Sequence, residues 1–498
     1  MIRTRFAPSP TGYLHVGGLR TALYSYLFAK KQKGKFLVRI EDTDRERLVA
    51  DGTLNILQSL DWAGIVQDEG VCLAKDKNQI DQKGDRGPYI QSERLSIYRK
   101  YAEELLQKKA AYYCFCMPER LEELRDQQTK NKMPTGYDQH CLKTIPPEEA
   151  QKRVKAGERH VVRLAMPKIG ETVFFDLIRG EVRIKNELVD DQILIKSDGF
   201  PTYHLAVVVD DHTMEISHVI RGEEWISSTP KHLQLYLNFG WKPPEFAHLP
   251  LLLNTDKSKL SKRQGDVAVV DYQKKGYLPE ALVNFVAFLG WNPGGEQEIF
   301  GLDELIKAFS LEKVGKGGSV FNIEKLDWFN KEYLKRLDPA ALLKRAWPWL
   351  VEAKLIDEKK LEDKKYSDWL ARVLMLERER VTTLSELPAA IRFIFSVPDY
   401  PVEMLVWKKG TREEVKKVIP DLLAYLETLK DIDWHTKTLE DNIKTWIEAN
   451  SFQVGSVLWP FRVALSGLEK SPGPFEIAAV LGKAEVVTRL KAAIHKVI

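Results

Sequence analysis

Cysteine is scarce in this chain, with four in 498 residues. So few thiols cannot staple a polypeptide of this size, which excludes a disulfide-built secreted scaffold. No apolar run approaches the ~20 residues that a membrane-spanning helix needs. Behind the arginines of the opening residues Met1 to Ala7 there is no apolar core, so secretion is not expected. Excess charge is also small: 75 basic against 71 acidic residues leave +4. That balance neither demands nor rules out a nucleic-acid partner, because a local basic face can coexist with a balanced total. No internal repeat is evident. What remains is an ordinary soluble composition, 44% hydrophobic and 29% charged, in a chain long enough for about two to four domains. Three of the cysteines, Cys114, Cys116 and Cys141, cluster, as reduced thiols or metal ligands of a cytoplasmic protein do.

The first forty residues read as a βαβ unit. Ile2, Thr4 and Phe6 alternate as a strand, Pro8 to Gly12 form a turn, and Leu19, Ala22, Leu23, Tyr26 and Leu27 recur at helical spacing. Gly34 is placed to end that helix, and Phe36, Val38 and Ile40 alternate as the next strand. The unbroken apolar run Leu205 to Val209 predicts a buried parallel strand. Pro230 predicts a helix start, Gly240 its stop, and His248 to Leu253 a further strand. Residues 108 to 199, with the cysteine cluster and mixed signals, look like an insertion into a doubly wound domain. Lys75 to Arg86 reads as an exposed loop. From about 330 onward the signals are helical: Asp338-Pro339 is a cap followed by proline at the first helical position, and Val486, Leu490, Ala493, Ile494 and Val497 share one face.

Two segments carry chemistry. His15-Val16-Gly17-Gly18 opens the first helix, where backbone amides favour an anion and His15 can donate to a phosphoryl group. Lys259-Leu260-Ser261-Lys262-Arg263 places cations on a loop that ends in Gly265 and suits a triphosphate losing pyrophosphate. Alone, the first fits a plain glycine-rich turn and the second a solvated basic loop. Together they resemble the two signatures of class I aminoacyl-tRNA synthetases. Arg5 to Gly12, Arg39 to Asp44, Gly87 to Arg94, Asp198 to Ala206, Val208 to His212, Val219 to Trp225 and Val457 to Gly467 resemble the bacterial-type glutamyl subgroup. The resemblance runs through essentially the whole chain.

The resemblance implies activation of L-glutamate with ATP and Mg²⁺ to glutamyl-adenylate plus pyrophosphate. Glutamate then passes to the 3′-terminal adenosine of tRNA(Glu), in cytoplasmic protein biosynthesis, by an enzyme expected to be a monomer. It also implies an α/β Rossmann-type catalytic domain at 1–107 and 200–255. An α/β acceptor-stem domain would be inserted at 108–199, a stem-contact domain with the lysine loop would follow at 256–330, and an all-helical anticodon-binding domain would occupy 331–498. Arg5 and Arg221 match carboxylate-binding positions, Ser9 and Glu41 the amino-group positions, and Ala7, Tyr203 and Val207 the rest of the glutamate pocket. Some relatives have asparagine where this chain has Val207. His15, Gly17, Gly18, Glu224 and Leu252 match nucleotide positions, together with Lys259, Leu260, Ser261, Lys262 and Arg263; His15, Lys259 and Lys262 are the catalytic set. Cys114, Cys116 and, after a gap of 24 residues, Cys141 resemble a zinc pattern found in part of the family. Many relatives place histidine where Lys143 stands, which leaves Tyr137, the favoured fourth ligand, or His140. Metal-free thiols are the other reading. A glutaminyl enzyme would bring a β-barrel anticodon domain, a queuosine-modifying paralogue would lack the C-terminal region, and a silent RNA-binding homologue would have lost a signature.

Overall fold

The structure, a computed structural model of the chain, describes residues 1–260, 268–408 and 410–498. Its strands are β1 (Arg3–Phe6), β2 (Lys35–Val38), β3 (Glu69–Leu73), β4 (Ile80–Lys83), β5 (Ala111–Cys114), β6 (Val161–Leu164), β7 (Glu171–Asp176), β8 (Gly180–Lys185), β9 (Ile193–Ile195), β10 (His218–Gly222), β11 (Glu245–Leu249), β12 (Leu252–Leu253) and β13 (Ser319–Val320). Eight form one sheet in the order β4-β3-β2-β1-β10-β11-β7-β8. It is parallel from β3 to β7, with an antiparallel strand at each edge. The expected class, an α/β Rossmann-type domain followed by an all-helical region, holds: among the described residues no strand follows Val320.

The predicted βαβ start forms as β1, helix Val16–Lys31 and β2, with Leu19, Ala22, Leu23, Tyr26 and Leu27 all buried. The helix ends differently from the expectation. Lys33, not Gly34, takes the left-handed position, with φ 52°. Gly34 donates to the Ala29 carbonyl at 2.8 Å, and a Cβ on it would stand 2.3 Å from the Ile2 carbonyl oxygen. Glycine is needed there because Ile2, just before β1, lies against it.

Three other expectations are corrected. Leu205 to Val209 is helix, the middle of Tyr203–Thr213, and not a strand. Every one of its side chains is buried, so the run is apolar all round and has no period by which a strand could be told from a helix. The strand expected from His248 to Leu253 is broken into β11 and β12 by Pro250, and the Leu251 amide turns aside to the Glu223 carboxylate at 2.9 Å. The loop expected at Lys75 to Arg86 contains β4, an exposed, charged edge strand of the kind that blunts edge-to-edge association. Thr229–Phe239 is helical as read, closed by Gly240 in the left-handed region at φ 77°.

Within the span read as an insertion, β5, β6 and β9 make a separate antiparallel sheet, while the β7–β8 hairpin returns to the main sheet beside β11. Two compact units divide the chain: 1–273 with 279–326, and 274–278 with 327–498. In the second, Asp338 caps Pro339–Glu352 by accepting from the Ala341 amide at 2.8 Å. The last helix, Lys483–Val497, buries Val486, Leu490, Ala493 and Val497. Among the described residues no helix is long and apolar enough to cross a membrane.

Candidate functional site

β1 lies between β2 and β10. The chain leaves it to one side and returns on the other, which opens a crevice at the carboxyl ends of parallel strands, where α/β sheets bind ligands. A cavity of about 950 Å³ occupies that place. Its wall brings together Arg5, Ala7 and Ser9 after β1, His15, Gly17 and Gly18 at the first helix, and Glu41 beyond β2. Tyr203, Arg221, Glu224, Leu252, Lys259 and Leu260, which the resemblance also implies, line it too. Val207 is the exception: it stands one turn after Tyr203 but packs in the apolar core, 1% exposed, and does not line the cavity. Ser261, Lys262 and Arg263 lie outside the described residues.

At the helix end of the cavity, His15 is the N-cap of the 16-residue helix, and its Nδ1 accepts from the Gly18 amide at 3.1 Å. That bond fixes the neutral ring with its proton on Nε2. A Cβ on Gly17 would sit 3.1 Å from the imidazole, so glycine lets the ring lie against the backbone. Beneath, buried Arg20 donates to the carbonyls of Leu289, at 3.1 Å, and Pro250. The helix thereby presents unspent amides and the positive end of its dipole to the cavity.

The opposite end is ionic. Arg5 Nε meets Asp211 at 3.1 Å, Arg39 meets Asp211 at 2.8 Å and Glu41 at 3.1 Å, and Arg94 meets Asp210 at 2.8 Å, all in buried pairs. Tyr98 and Gln91 add hydrogen bonds to Asp210, both at 2.9 Å. Burial works to raise Asp211, but Arg5 and Arg39 hold it below the usual carboxylate range. For Glu41, burial wins and pushes the carboxyl up to about 7 against the pull of Arg39 and Arg5.

Arg221 differs from these arginines. Its guanidinium touches only neutral groups: His248 at 3.1 Å, Tyr203 and His232 at 3.2 Å, Thr229 at 2.9 Å and the Trp225 carbonyl at 3.5 Å. Among the described residues no carboxylate lies within ion-pair distance of it. Burial lowers its pKa, and burial likewise holds His232 and His248 below the ordinary imidazole value. A buried cation ringed by neutral acceptors is costly unless an anion arrives.

Sequence reasoning missed the residues behind the wall. Asp210 and Asp211 lie in the run Val208 to His212, and two adjacent carboxylates closing an apolar stretch are a signal, because buried charge requires partners. Arg39 and Arg94 supply them. No local signal marked Asp176, His232 or His248.

Away from the cavity, Cys114, Cys116 and Cys141 converge with ligand atoms within 4.8 Å of one another and can hold a metal ion. Cys116 Sγ stands 3.5 Å from Cys141 Sγ. Tyr137 Oη lies 3.4 Å from Cys114 and 3.3 Å from Cys116, whereas His140 and Lys143 are exposed. Hydrogen bonding from Cys141 holds the Cys114 thiol well below its usual range.

Residues 1–328 match the family described as tRNA synthetases class I (E and Q), catalytic domain, and residues 341–494 match an anticodon binding domain. The chain is 48% identical over 504 residues to a glutamate–tRNA ligase of Chloroherpeton thalassium, covering 99% of this chain and 98% of that one. A glutamate–tRNA ligase of Chlorobaculum parvum is 46% identical over 507 residues, covering 100% and 98%. Among solved structures, a glutamate tRNA ligase from Elizabethkingia meningosepticum in complex with its amino acid is similar with a TM-score of 0.87, 35% identity and 100% of both chains covered. Matched through both its catalytic and its anticodon-binding parts, the chain belongs to the class I tRNA synthetases of the glutamate and glutamine group.

Proposed function

We propose that this chain is a glutamate–tRNA ligase, and that the cavity at the β1–β10 switch point is where it activates glutamate. The observation that carries this reading is the buried Arg221 guanidinium with neutral partners only, facing a cavity that also holds Arg5 and Glu41. Glutamate has two carboxylates and one ammonium. Arg221 and Arg5 suit the carboxylates, and Glu41 with Ser9 suits the ammonium, while Ala7 and Tyr203 shape the space between.

ATP, accompanied by Mg²⁺, fits the other end. The first-helix amides and His15 would hold its phosphates, Gly17 and Gly18 allow close approach, and Glu224 and Leu252 lie where the nucleoside would rest. Lys259 to Arg263 complete the phosphate contacts in this reading. The α-carboxylate oxygen attacks the α-phosphorus and the bond to pyrophosphate breaks, giving the mixed anhydride. The terminal ribose hydroxyl of tRNA then attacks its carbonyl carbon and releases AMP. The side chains act by position and charge, not as covalent nucleophiles.

Glutamate is expected to support aminoacylation with a kcat/KM at least about 10³-fold above that for glutamine, since a site built for a charge rejects its neutral isostere. Aminoacylation of tRNA(Glu) transcript with each amino acid checks this, and equal kcat/KM values sink the assignment. The helical residues after Val320 favour this reading over a glutaminyl enzyme with a β-barrel anticodon domain.

The thiol cluster suits zinc, with Tyr137 as fourth ligand. Tetrahedral Zn–S bonds of about 2.3 Å imply sulfur separations of about 3.8 Å, near the 3.5 Å between Cys116 and Cys141. Purified protein is expected to carry about one zinc per chain, and Cys116→Ser to lose it and lower Tm by roughly 5 °C or more. Metal analysis and calorimetry test this together. Metal-free protein of full stability, prepared without chelators, returns the cluster to free thiols.

A further inference from the structure

We propose that Asp176 and His248 form a positioning pair that sets the imidazole tautomer behind Arg221, and so aims its guanidinium and fixes the preference for glutamate over glutamine. The inference rests on the reading of Arg221 as a carboxylate-binding residue. Asp176 ends β7, in the hairpin that pairs beside β11, and His248 lies on β11; both are 0% exposed. His248 Nδ1 is 2.6 Å from Asp176 Oδ2, and His248 Nε2 is 3.1 Å from Arg221 Nε.

The logic is one of donors and acceptors. A guanidinium only donates, so His248 Nε2 must accept. The proton of the neutral ring is then on Nδ1, where a carboxylate receives it. Asp176 Oδ1 is already occupied, accepting from the Ile178 amide at 2.9 Å and the Arg179 amide at 2.8 Å. The His248 amide also reaches that oxygen, at 3.3 Å, and reaches Oδ2, the oxygen that faces the imidazole, at 3.1 Å. Three amides reach the Oδ1 position and only one the other, so asparagine at 176 sets its oxygen on the former and points its NH₂ at His248 Nδ1. That drives the ring proton to Nε2, where it opposes the Arg221 N–H. The same geometric frustration follows whenever an aspartate that orients a histidine becomes an amide. Arg221 also donates to His232 Nδ1 at 3.2 Å, so it is held from two sides by rings that must stay neutral. A cation without a carboxylate of its own, and unable to swing, keeps its charge for the ligand.

The test uses the full chain. In Asp176→Asn the glutamate KM should rise at least about tenfold while the ATP KM stays within about twofold, and the glutamate-over-glutamine ratio should fall at least about tenfold. Nitrogen NMR of His248 should show its proton on Nδ1 in the parent and on Nε2 in the variant. A tautomer that does not move, a tautomer that moves with no change in glutamate KM, or an equal loss for glutamate and ATP overturns the proposal. If Asp176→Asn does not fold, His248→Gln and His248→Leu decide. The glutamine oxygen can accept from Arg221 without help from Asp176, so its glutamate KM should stay within about threefold and the leucine variant's should rise at least about tenfold. Equal effects overturn the proposal. Arg221→Gln separates the two levels: an unchanged glutamate KM there removes the underlying reading, whereas a raised KM there with none in Asp176→Asn removes this inference alone.

Discussion

Arg221→Gln is expected to lower kcat/KM for glutamate about 10³-fold and to leave the ATP KM within about twofold. Arg221 is 5% exposed, and its neighbours are imidazoles, hydroxyls and a carbonyl, so nothing within the described wall neutralises it. A substrate carboxylate arriving there forms a charge-assisted pair in a dry place, and losing such a pair costs about 2–5 kcal/mol. Glutamine can still bond Tyr203 or Thr229, so the fold is expected to survive. Thermal stability should be unchanged or higher, because an unpaired buried cation is a burden on the empty protein. Activity falling while Tm holds or rises is what separates a ligand-binding arginine from a structural one. The measurement is steady-state aminoacylation with varied glutamate and varied ATP, beside calorimetry. A drop in Tm with parallel losses for both substrates sinks it.

How legible this site was depends on how local its causes are. The turn before His15 and the capped helix after it follow from neighbours in sequence: an alternating strand, a glycine pair, an apolar stripe. The other residues of the cavity wall come from distant parts of the chain and follow only from the resemblance of their motifs, not from local pattern. Val207 was misplaced for a geometric reason. One helical turn separates it from Tyr203, but Leu205 to Asp211, the middle of that helix, are all buried, and Val207 there faces core. The same all-round burial hid the helix itself behind a strand-like run. His248 and Asp176 are 72 residues apart and meet only because the β7–β8 hairpin pairs beside β11, a registration that no single-sequence periodicity encodes. Pro250, by contrast, is a strand breaker legible in the sequence itself.

Glu41 supplies the second large effect, through pH. Its carboxyl is 5% exposed and burial pushes it up to about 7, although Arg39 and Arg5 pull it down. Below that value the free site holds Glu41 protonated, and a neutral acid no longer attracts an ammonium. Glutamate binding, which needs the carboxylate, must then drive the proton off. The sign follows: kcat/KM for glutamate should be level above about pH 8 and fall with a limiting slope of tenfold per unit as pH drops through about 7, while KM for ATP does not follow. Glu41→Gln keeps the shape and a hydrogen-bond acceptor but never ionises. At pH 8 it should lose roughly 300-fold in kcat/KM, about 3.4 kcal/mol, and its glutamate profile should be flat through the neutral range. Parent and variant should therefore converge as the pH is lowered toward 5. The check is a pair of pH–rate profiles taken with saturating ATP and tRNA. A profile that bends near pH 7 in the variant as it does in the parent assigns the ionisation to another group, and the ammonium contact with it.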